Sequence, residues 1–364
     1  IYFKNEIPFY NVYFTSIIRD EIGRKMSKSL GNSPDPIDLI NKYGADGVRV
    51  GMLLCSPAGN DLPFNENLCE QGRNFSNKIW NAFRLIKGWE VTEIEQKESS
   101  KQAVIWLKNK ISKAIFEINQ SYKRYRISEA LMIIYKLIWD EFCSWYLEII
   151  KPEYGKPIDK KTYKDTISEL ERLLKLLHPF MPFISEELWH LIDKRKDDII
   201  VSKWPNEKKA NEKIINDFDI IKQAISEIRN IRTQYNISIK DKISISIIKH
   251  KEINITLDSI ICKLANLSAI DYVSIKPENT VSFLINSNEY FVAIKENINT
   301  DLQLKKLNKE LDYTKGFLKI VMKKLSNEKF IDKAPAKLVE NEKKKKEDAE
   351  NKILLLERKI SSLL

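Results

Sequence analysis

The sequence predicts a mainly α-helical protein with one small α/β unit, and three observations lead to this prediction. Between residues 66 and 177, long segments place apolar side chains at i, i+3 and i+4 spacing, the pattern of amphipathic helices. Between residues 236 and 298, short alternating segments are typical of strands. From residue 304 onward, a heptad repeat predicts two helices paired as an antiparallel coiled-coil hairpin.

The first segment with chemical character is a loop over Gly23–Asn32. Residues 10–20 are rich in aromatic and β-branched types, so we expect a strand that leads into this loop. Glycines stand at both ends of the loop, and neither helical nor strand periodicity survives within it. It therefore presents the ammonium groups of Lys25 and Lys28 to solvent, where they can clamp polyphosphate. A solvated basic turn is the alternative for two lysines at this spacing.

Helices dominate residues 36–205. Two short ones are predicted between residues 36 and 54, and a long one from Glu66 to Trp89. Further helices are predicted over residues 102–124, 128–150, 163–177 and 185–192. We interpret the many aromatic residues of the 128–150 helix as core, since aromatic side chains dominate bundle interiors. Two prolines after His178 predict a rigid corner, at which we expect this histidine to pack rather than react.

A mixed region follows over residues 206–298. We predict a linking helix over 212–235, a strand over 243–248 and a helix over 257–266. Two more strands are expected near 271–275 and 280–294. No set of residues in this region suggests catalysis.

The last region, residues 299–364, carries two matching heptad seams. Their positions are 304, 307, 311, 314, 318, 321 and 325, then 339, 342, 346, 349, 353, 356, 360 and 363. All are apolar except Thr314, Glu342 and Lys346, so the two legs should close as an arm of about 30 Å at about 1.5 Å per residue. Its turn presents Lys324, Lys329 and Lys333, which could contact phosphates. A merely solvated helix pair is the alternative.

Composition limits the classes of function. The net charge is +10, and residues 301–364 contribute +6 of it, which favours a polyanionic partner. The four cysteines lie far apart without a CxxC pair, and none of the three histidines stands near one at ligand spacing, so we expect no metal site and no disulfides. No apolar run approaches the roughly 20 residues of a membrane span. We expect a soluble cytoplasmic chain, and its start at Ile1 suggests a piece of a longer protein.

The loop string Lys25-Met26-Ser27-Lys28-Ser29 resembles the signature of class I aminoacyl-tRNA synthetases, in which a mobile loop closes over ATP. The resemblance implies that Lys25 and Lys28 are catalytic cations for the leaving pyrophosphate, and that Lys25 through Ser29 bind the nucleotide. It also implies that residues 1–60 are the end of a Rossmann-type catalytic domain with its stem-contact region. Residues 61–205 would then be the helical anticodon-binding domain.

The segment from Lys324 to Glu342 resembles the tRNA-binding arm of bacterial valyl-tRNA synthetases, and Leu177–Trp189 is similar to the valine, isoleucine and leucine branch. Valine, ATP with Mg²⁺ and tRNA(Val) are the implied ligands, with the chain a monomer. The family's second nucleotide motif, His-x-Gly-His, does not occur in these 364 residues, and the editing domain is not found either. We therefore expect the fragment alone to be inactive and to hold no bound cofactor.

For tRNA contacts we select side chains that suit hydrogen bonding or phosphate pairing: Arg73, Asn74, Lys78 and Arg84 in the bundle, and Lys324, Lys329 and Lys333 in the arm. Three alternatives stay open from the sequence. The chain could be a non-catalytic tRNA-binding module, a structural protein that oligomerises through its coiled coil, or a branch member such as an isoleucyl-tRNA synthetase.

Overall fold

A computed structural model describes residues 2–14, 17–55, 63–249, 253–285, 288–294, 300–326 and 336–361. The chain divides into two compact units, Ile1–Ala293 and Ile294–Leu364, which are described separately below. The prediction of a mainly α-helical protein is confirmed. None of the described helices is both long and apolar enough to cross a membrane.

The first unit is a helical bundle with a small sheet at its end. In chain order its helices are α1 (Pro36–Tyr43), α2 (Ala45–Cys55), α3 (Glu66–Lys87), α4 (Glu98–Lys123), α5 (Ile127–Lys136), α6 (Leu147–Ile150), α7 (Lys160–Leu177), α8 (Pro182–Ile192), α9 (Glu212–Gln234) and α10 (Asp258–Ala265). A π-helical segment, Leu137–Tyr146, joins α5 to α6, so the helix predicted over 128–150 is present but is not α-helical throughout. Two short strands, β1 (Val91–Thr92) and β2 (Ile158–Asp159), pair in parallel between the helices.

Helices α2 and α3 approach each other through glycines. A Cβ atom built on Gly72 would lie 2.5 Å from the carbonyl oxygen of Gly47, and one built on Gly51 would lie 2.6 Å from Sγ of Cys69. Larger side chains at these positions would push the backbones apart, so the sequence sets the spacing of this pair.

The core of the bundle lies around α4, whose Trp106 and Ile111 are fully buried. Trp106 stacks on Phe218 of α9 with ring centroids 4.8 Å apart. The helix predicted as a linker therefore packs onto the bundle. As expected for core aromatics, Phe142 and Tyr146 of the π-helical segment are buried.

The proline corner between α7 and α8 is present. Helix α8 begins at Pro182, three residues before the predicted start, because proline is favoured in a helical first turn, where its missing N–H costs nothing. His178 caps the end of α7, and its Nδ1 lies 2.8 Å from Oγ of Ser185. Burial lowers the pKa of His178, which favours the neutral ring.

A four-stranded sheet closes the first unit, with the order β4-β3-β6-β5. Its strands are β3 (Ile243–Ile248), β4 (Leu267–Tyr272), β5 (Thr280–Ile285) and β6 (Asn288–Ala293). Strand β3 pairs in parallel with β4 across the crossover helix α10, and β5 and β6 are antiparallel neighbours. The segment 280–294, expected to be one strand, therefore forms two paired strands, β5 and β6. The strand expected at 271–275 begins and ends earlier, as β4 over Leu267–Tyr272.

Arg232 of α9 joins the bundle to this sheet. Its guanidinium is buried and donates to four carbonyl oxygens, those of Ser238 (2.8 Å), Asp241 (2.9 Å), Ala265 (3.0 Å) and Asn266 (2.9 Å). Because the planar fork bonds to carbonyls of the loop between α9 and β3 and of the end of α10, it fixes the sheet against the bundle.

The strand expected over residues 10–20 is wrong. In the described part of this segment there is no regular strand, and only Arg19 forms isolated bridges, antiparallel with Lys25 and parallel with Pro63. Aromatic and β-branched composition favours a strand only where a partner strand is present, and the described residues supply none here.

The second unit consists of α11 (Thr300–Leu325) and α12 (Ala336–Ser361). They run antiparallel, since Lys315 pairs with Glu357 at 2.8 Å while Lys324 lies 3.9 Å from Glu342. Wherever the structure describes a side chain at a predicted seam position, that side chain is buried or half-buried. Residues 327–335, and with them Lys329 and Lys333, lie outside the described residues.

Candidate functional site

The lysine loop begins with a tight reversal of the chain at Asp20–Arg24. The Asp20 N–H donates to the Arg24 carbonyl at 2.8 Å, and the Gly23 N–H donates to the Asp20 carbonyl at 2.8 Å. Gly23 has φ of +83°, a conformation that side-chain-bearing residues rarely adopt. The reversal brings Arg19 beside Lys25, so the loop returns toward its own start.

One carboxylate and one amide hold the loop together. Asp20 is buried, and its two oxygens accept from the Arg24 backbone N–H (2.8 Å), from Arg24 Nε (2.8 Å) and from Nδ2 of Asn32 (3.0 Å). Asn32 Oδ1 in turn accepts from the Ser27 N–H at 2.9 Å. The hydrogen bond from Asn32, with those from Arg24, lowers the pKa of Asp20 to about 2.

The two serines lie on a single 3-10 turn over Lys28–Leu30. Ser27 caps this turn, and its Oγ accepts from the Ser29 N–H at 3.2 Å. The two hydroxyl oxygens lie 2.6 Å apart. Gly31 ends the turn with φ of +64°. The hydroxyls therefore sit side by side, and both are free to donate to an anion once the hydrogen bond between them is broken.

Met26 fastens the loop to the protein while the flanking lysines point outward. Its side chain is half-buried against the apolar cluster of Leu39, Tyr43 and Phe64. Lys25 and Lys28 are exposed, and within the described residues neither ammonium has an ion-pair partner. The loop thus offers two free cations and two hydroxyl groups on a fixed backbone, a set that fits phosphate oxygens.

The same loop does not fit as a holder for Mg²⁺. The buried carboxylate, Asp20, spends both oxygens on Arg24 and Asn32. The ammonium groups repel a divalent cation, and the hydroxyl oxygens of Ser27 and Ser29 are too few to hold one on their own. This loop therefore does not supply a set of ligands for Mg²⁺.

Helix α2, the second helix after the loop, is bound to the proline corner by two charged residues. Asp46 is buried and accepts from the N–H groups of Phe183 (3.2 Å) and Ile184 (2.7 Å) at the start of α8. Arg49 donates to the carbonyl oxygens of Pro179 (3.0 Å) and Phe180 (3.1 Å). Burial raises the pKa of Asp46 although these hydrogen bonds oppose the shift. We call α1 and α2, which carry most of the apolar cluster beneath Met26, the platform of the loop. Direct polar contacts thus join this platform to the rest of the bundle.

The four side chains predicted to contact tRNA in the bundle all lie on α3. Arg73, Asn74 and Arg84 are exposed, and Lys78 is half-buried with its Nζ 5.2 Å from the ring centre of Trp139. Arg73 also donates to the Lys42 carbonyl at 3.3 Å. Helix α3 therefore presents a polar and cationic surface.

Of the three side chains predicted in the arm, only Lys324 is described. It is exposed on α11, with its Nζ 3.9 Å from a carboxylate oxygen of Glu342. Lys324 can therefore be reached from solvent, as a phosphate contact requires.

Sequence reasoning missed Asp20, Asn32 and Asp46. The first two are twelve positions apart, and Asp46 acts on residues more than 130 positions away. No local periodicity records such contacts. The one available signal is the Gly31-Asn32 pair at the end of the loop.

A metal site was not expected from the sequence. Among the described residues, one group, Glu186, His190 and Asp198, brings three ligand atoms within 4.8 Å of one another. Nε2 of His190 lies 3.1 Å from an oxygen of each carboxylate. Nε2 of His190 can donate to one of these carboxylates at a time, and the contact with Asp198 links α8 to the segment that follows it.

Three family models match successive parts of the chain. The model described as "tRNA synthetases class I (I, L, M and V)" matches residues 1–65. "Anticodon-binding domain of tRNA ligase" matches residues 105–247, and "Valyl tRNA synthetase tRNA binding arm" matches residues 300–364.

Curated relatives agree with these models. A valine–tRNA ligase of Christiangramia forsetii is 53% identical over 99% of this chain, and one of Phocaeicola vulgatus is 52% identical over 99%. A more distant one, of Fusobacterium nucleatum, is 35% identical over 100% of the chain. The chain spans 42%, 41% and 43% of the lengths of these relatives.

Among solved structures, the LeuRS of Agrobacterium radiobacter K84, in a ternary complex with tRNA and LeuAMS, aligns over 68% of this chain and 27% of its own. The identity is 21% and the TM-score 0.43, so this likeness adds no weight to the sequence matches. Those matches cover nearly every residue. The chain therefore belongs to the valine–tRNA ligase family of class I aminoacyl-tRNA synthetases.

Proposed function

We propose that this chain works as part of a valine–tRNA ligase, the enzyme that joins valine to tRNA(Val) with ATP through valyl-adenylate. Within it, residues 1–60 supply the lysine loop and stem-contact region, residues 61–205 the anticodon-binding bundle and residues 299–364 the tRNA-bracing arm. The linking helix and small α/β unit occupy residues 206–298. The relatives and the family models support this assignment.

The observation that carries the proposal is the loop of free cations. Lys25 and Lys28 stand on a backbone held by Asn32, with their ammonium groups exposed and unpaired among the described residues. As pyrophosphate leaves, charge accumulates on its oxygens, and cations already in place stabilise it without reorganisation. Lys28 acts nearest the nucleotide, and the hydroxyls of Ser27 and Ser29 donate to phosphate oxygens.

Adenylate formation needs groups beyond this loop. The His-x-Gly-His motif does not occur in the 364 residues, whose histidines are His178, His190 and His250. ATP, its Mg²⁺ and valine are therefore bound with the help of other parts of the enzyme. The chain itself holds tRNA, through α3 and the arm. Pairing of α11 with α12 within one chain supports a monomer, since the seam needs no second copy.

Substitution Lys28→Ala in the complete enzyme tests the catalytic role. We expect valine-dependent ATP–pyrophosphate exchange to fall by about 10²- to 10³-fold, the usual effect of removing one preorganised donor. The affinity for tRNA should change little. Lys249→Ala, which removes an exposed lysine of the small α/β unit, is the matched control and should leave exchange unchanged. Weaker tRNA binding with normal exchange in Lys28→Ala would reject the proposed role.

A further inference from the structure

A basic cleft lies on the side of the bundle formed by α4, α7 and the segment 202–211. Its volume is about 650 Å³, and its lining includes six cationic side chains: Lys108, Arg172, Lys175, Lys203, Lys208 and Lys209. We propose that this cleft is a second contact surface for RNA phosphates, built from residues other than those of α3. The inference rests on the proposed function, because it takes the tRNA as the partner.

The segment that forms the outer wall of the cleft is fastened to α4 along its length. The indole N–H of Trp204 donates to Oδ1 of Asn119 at 3.2 Å, and Nδ2 of the same Asn119 donates to Glu207 at 3.1 Å. Further along, the N–H of Asn211 donates to Oδ1 of Asn109 at 2.7 Å. Although this stretch has neither helix nor strand, these bonds hold its lysines at the cleft.

The cations of the cleft fall into two groups. Those on helices have partners, since Lys108 pairs with Asp165 at 2.7 Å and Arg172 pairs with Glu169 at 2.6 Å. Lys175 lies over the ring of Trp189 at 5.2 Å.

The three lysines on segment 202–211 have no such partners. Lys203, Lys208 and Lys209 are exposed, and across the described part of the chain none of them has an ion pair. The one acidic residue in the lining, Glu169, is already paired with Arg172, so the cleft keeps unneutralised positive charge.

The number and spread of the cations favour a chain of phosphates over a single anion. A second cleft of about 410 Å³ shares Lys175, Lys203 and Trp204 with the first; its other lining residues are mainly apolar, and it adds the cation Arg49 of α2. The two adjoining clefts thus form a track of cations from Arg49 to Lys209. Lysines act as point charges, so such a track contributes affinity and orientation without reading bases. A polynucleotide backbone is the partner whose repeated charge fits this arrangement.

The test removes the three free charges from the whole 364-residue chain by the combined substitutions Lys203→Gln, Lys208→Gln and Lys209→Gln. The matched control removes three exposed lysines of the small α/β unit, Lys240→Gln, Lys242→Gln and Lys249→Gln, so both variants lose the same net charge. Binding to a valine tRNA transcript is measured over a salt series. Each phosphate contact contributes roughly 0.7 to 0.9 to the slope of log K against log salt concentration.

We expect the cleft variant to lose affinity and its slope to become shallower by about two, while the control keeps the slope of the unaltered chain. An unchanged slope in the cleft variant, or an equal loss in both variants, overturns the inference and leaves the proposed function standing. If the unaltered chain shows no binding to this tRNA, the proposed function and the inference both fail.

Discussion

The lysine loop and the α2–α3 pair are neighbours in sequence but are held by opposite means. The loop depends on a few part-buried hydrogen bonds between polar groups, chiefly those of Asp20 and Asn32. The helix pair depends on close approach at Gly47, Gly51 and Gly72, which face backbone atoms of the other helix and, at Gly51, the side chain of Cys69. Hydrogen bonds of this kind can be replaced by bonds to water one at a time, whereas a close-packed helix contact cannot loosen without opening the core.

Under the proposed function, this difference matches the work of each region. A loop proposed to cover a nucleotide would have to change position as substrate enters and product leaves, and contacts that are individually weak would allow this. The platform beneath it must keep the loop aligned with the bundle, which the contacts of Asp46 and Arg49 with the proline corner achieve. Substitutions in the helix pair should therefore lower the free energy of unfolding, whereas substitutions in the loop should change the loop alone and have smaller effects.

The largest effect is expected for Gly72→Ala. The added Cβ would meet the carbonyl oxygen of Gly47 at 2.5 Å, so α2 and α3 must separate, and we expect the free energy of unfolding to fall by about 2 kcal/mol. All seven tryptophans lie in the first unit, so tryptophan fluorescence during urea unfolding reports on that unit alone.

Gly47→Ala is the matched control for that experiment. Its Cβ would approach the backbone no closer than 3.1 Å, and alanine also improves helix propensity, so the loss should stay below about 1 kcal/mol. Equal losses at the two positions would show that the spacing of the helices does not depend on Gly72.

The sequence predicts those elements whose signal is local and periodic. The heptad pattern predicts the seam of the arm, including its polar positions. Thr314 and Glu342 are buried at the positions where the pattern places them. Glu342 tolerates this position because Lys345 donates to it at 2.8 Å, which lowers its pKa. Heptad spacing is a property of one helix, so the partner need not be known.

Contacts between segments that are distant in the chain produce no periodic pattern in the sequence. Nothing in the spacing of Gly47 and Gly72 announces that they touch, and the strand expected at 10–20 failed because composition does not reveal whether a partner strand exists. The candidate site divides in the same way. Its cations, Lys25 and Lys28, can be predicted from the sequence motif Lys25–Ser29. The roles of Asp20 and Asn32 in holding the loop become apparent only in the structure.

A smaller effect on stability is expected where platform and bundle meet. Asp46→Ala removes the acceptor from two N–H groups at the start of α8, which should cost about 1 to 2 kcal/mol, the usual value of a helix cap. Asp46→Asn keeps one acceptor oxygen and avoids burying a charge, so its cost should be less than half of that. Urea unfolding followed by tryptophan fluorescence measures both, and equal costs would mean that the hydrogen bonds of the carboxylate do not stabilise the junction.

The smallest effect, confined to the loop, concerns the pH at which Asp20 titrates. Its pKa is lowered to about 2 in the folded chain, against an ordinary value of 3.8. A carboxylate with a lowered pKa stabilises the fold fully above its unfolded value, and this contribution is lost as the pH falls through the folded value. We therefore expect the loop to keep its shape down to about pH 4 and to lose it between about pH 4 and pH 2.

Selective labelling with ¹⁵N-arginine allows this titration to be followed at the Arg24 amide, which donates directly to Asp20. The variant Asn32→Ala removes the largest cause of the shift, so the midpoint seen at Arg24 should rise toward 3.8 while the tryptophan-detected stability of the bundle stays the same. If the midpoint does not move in this variant, Arg24 alone lowers the pKa of Asp20. A loss of bundle stability in the same variant would break the contrast between a yielding loop and a rigid platform, because it would show that the loop supports the fold beneath it.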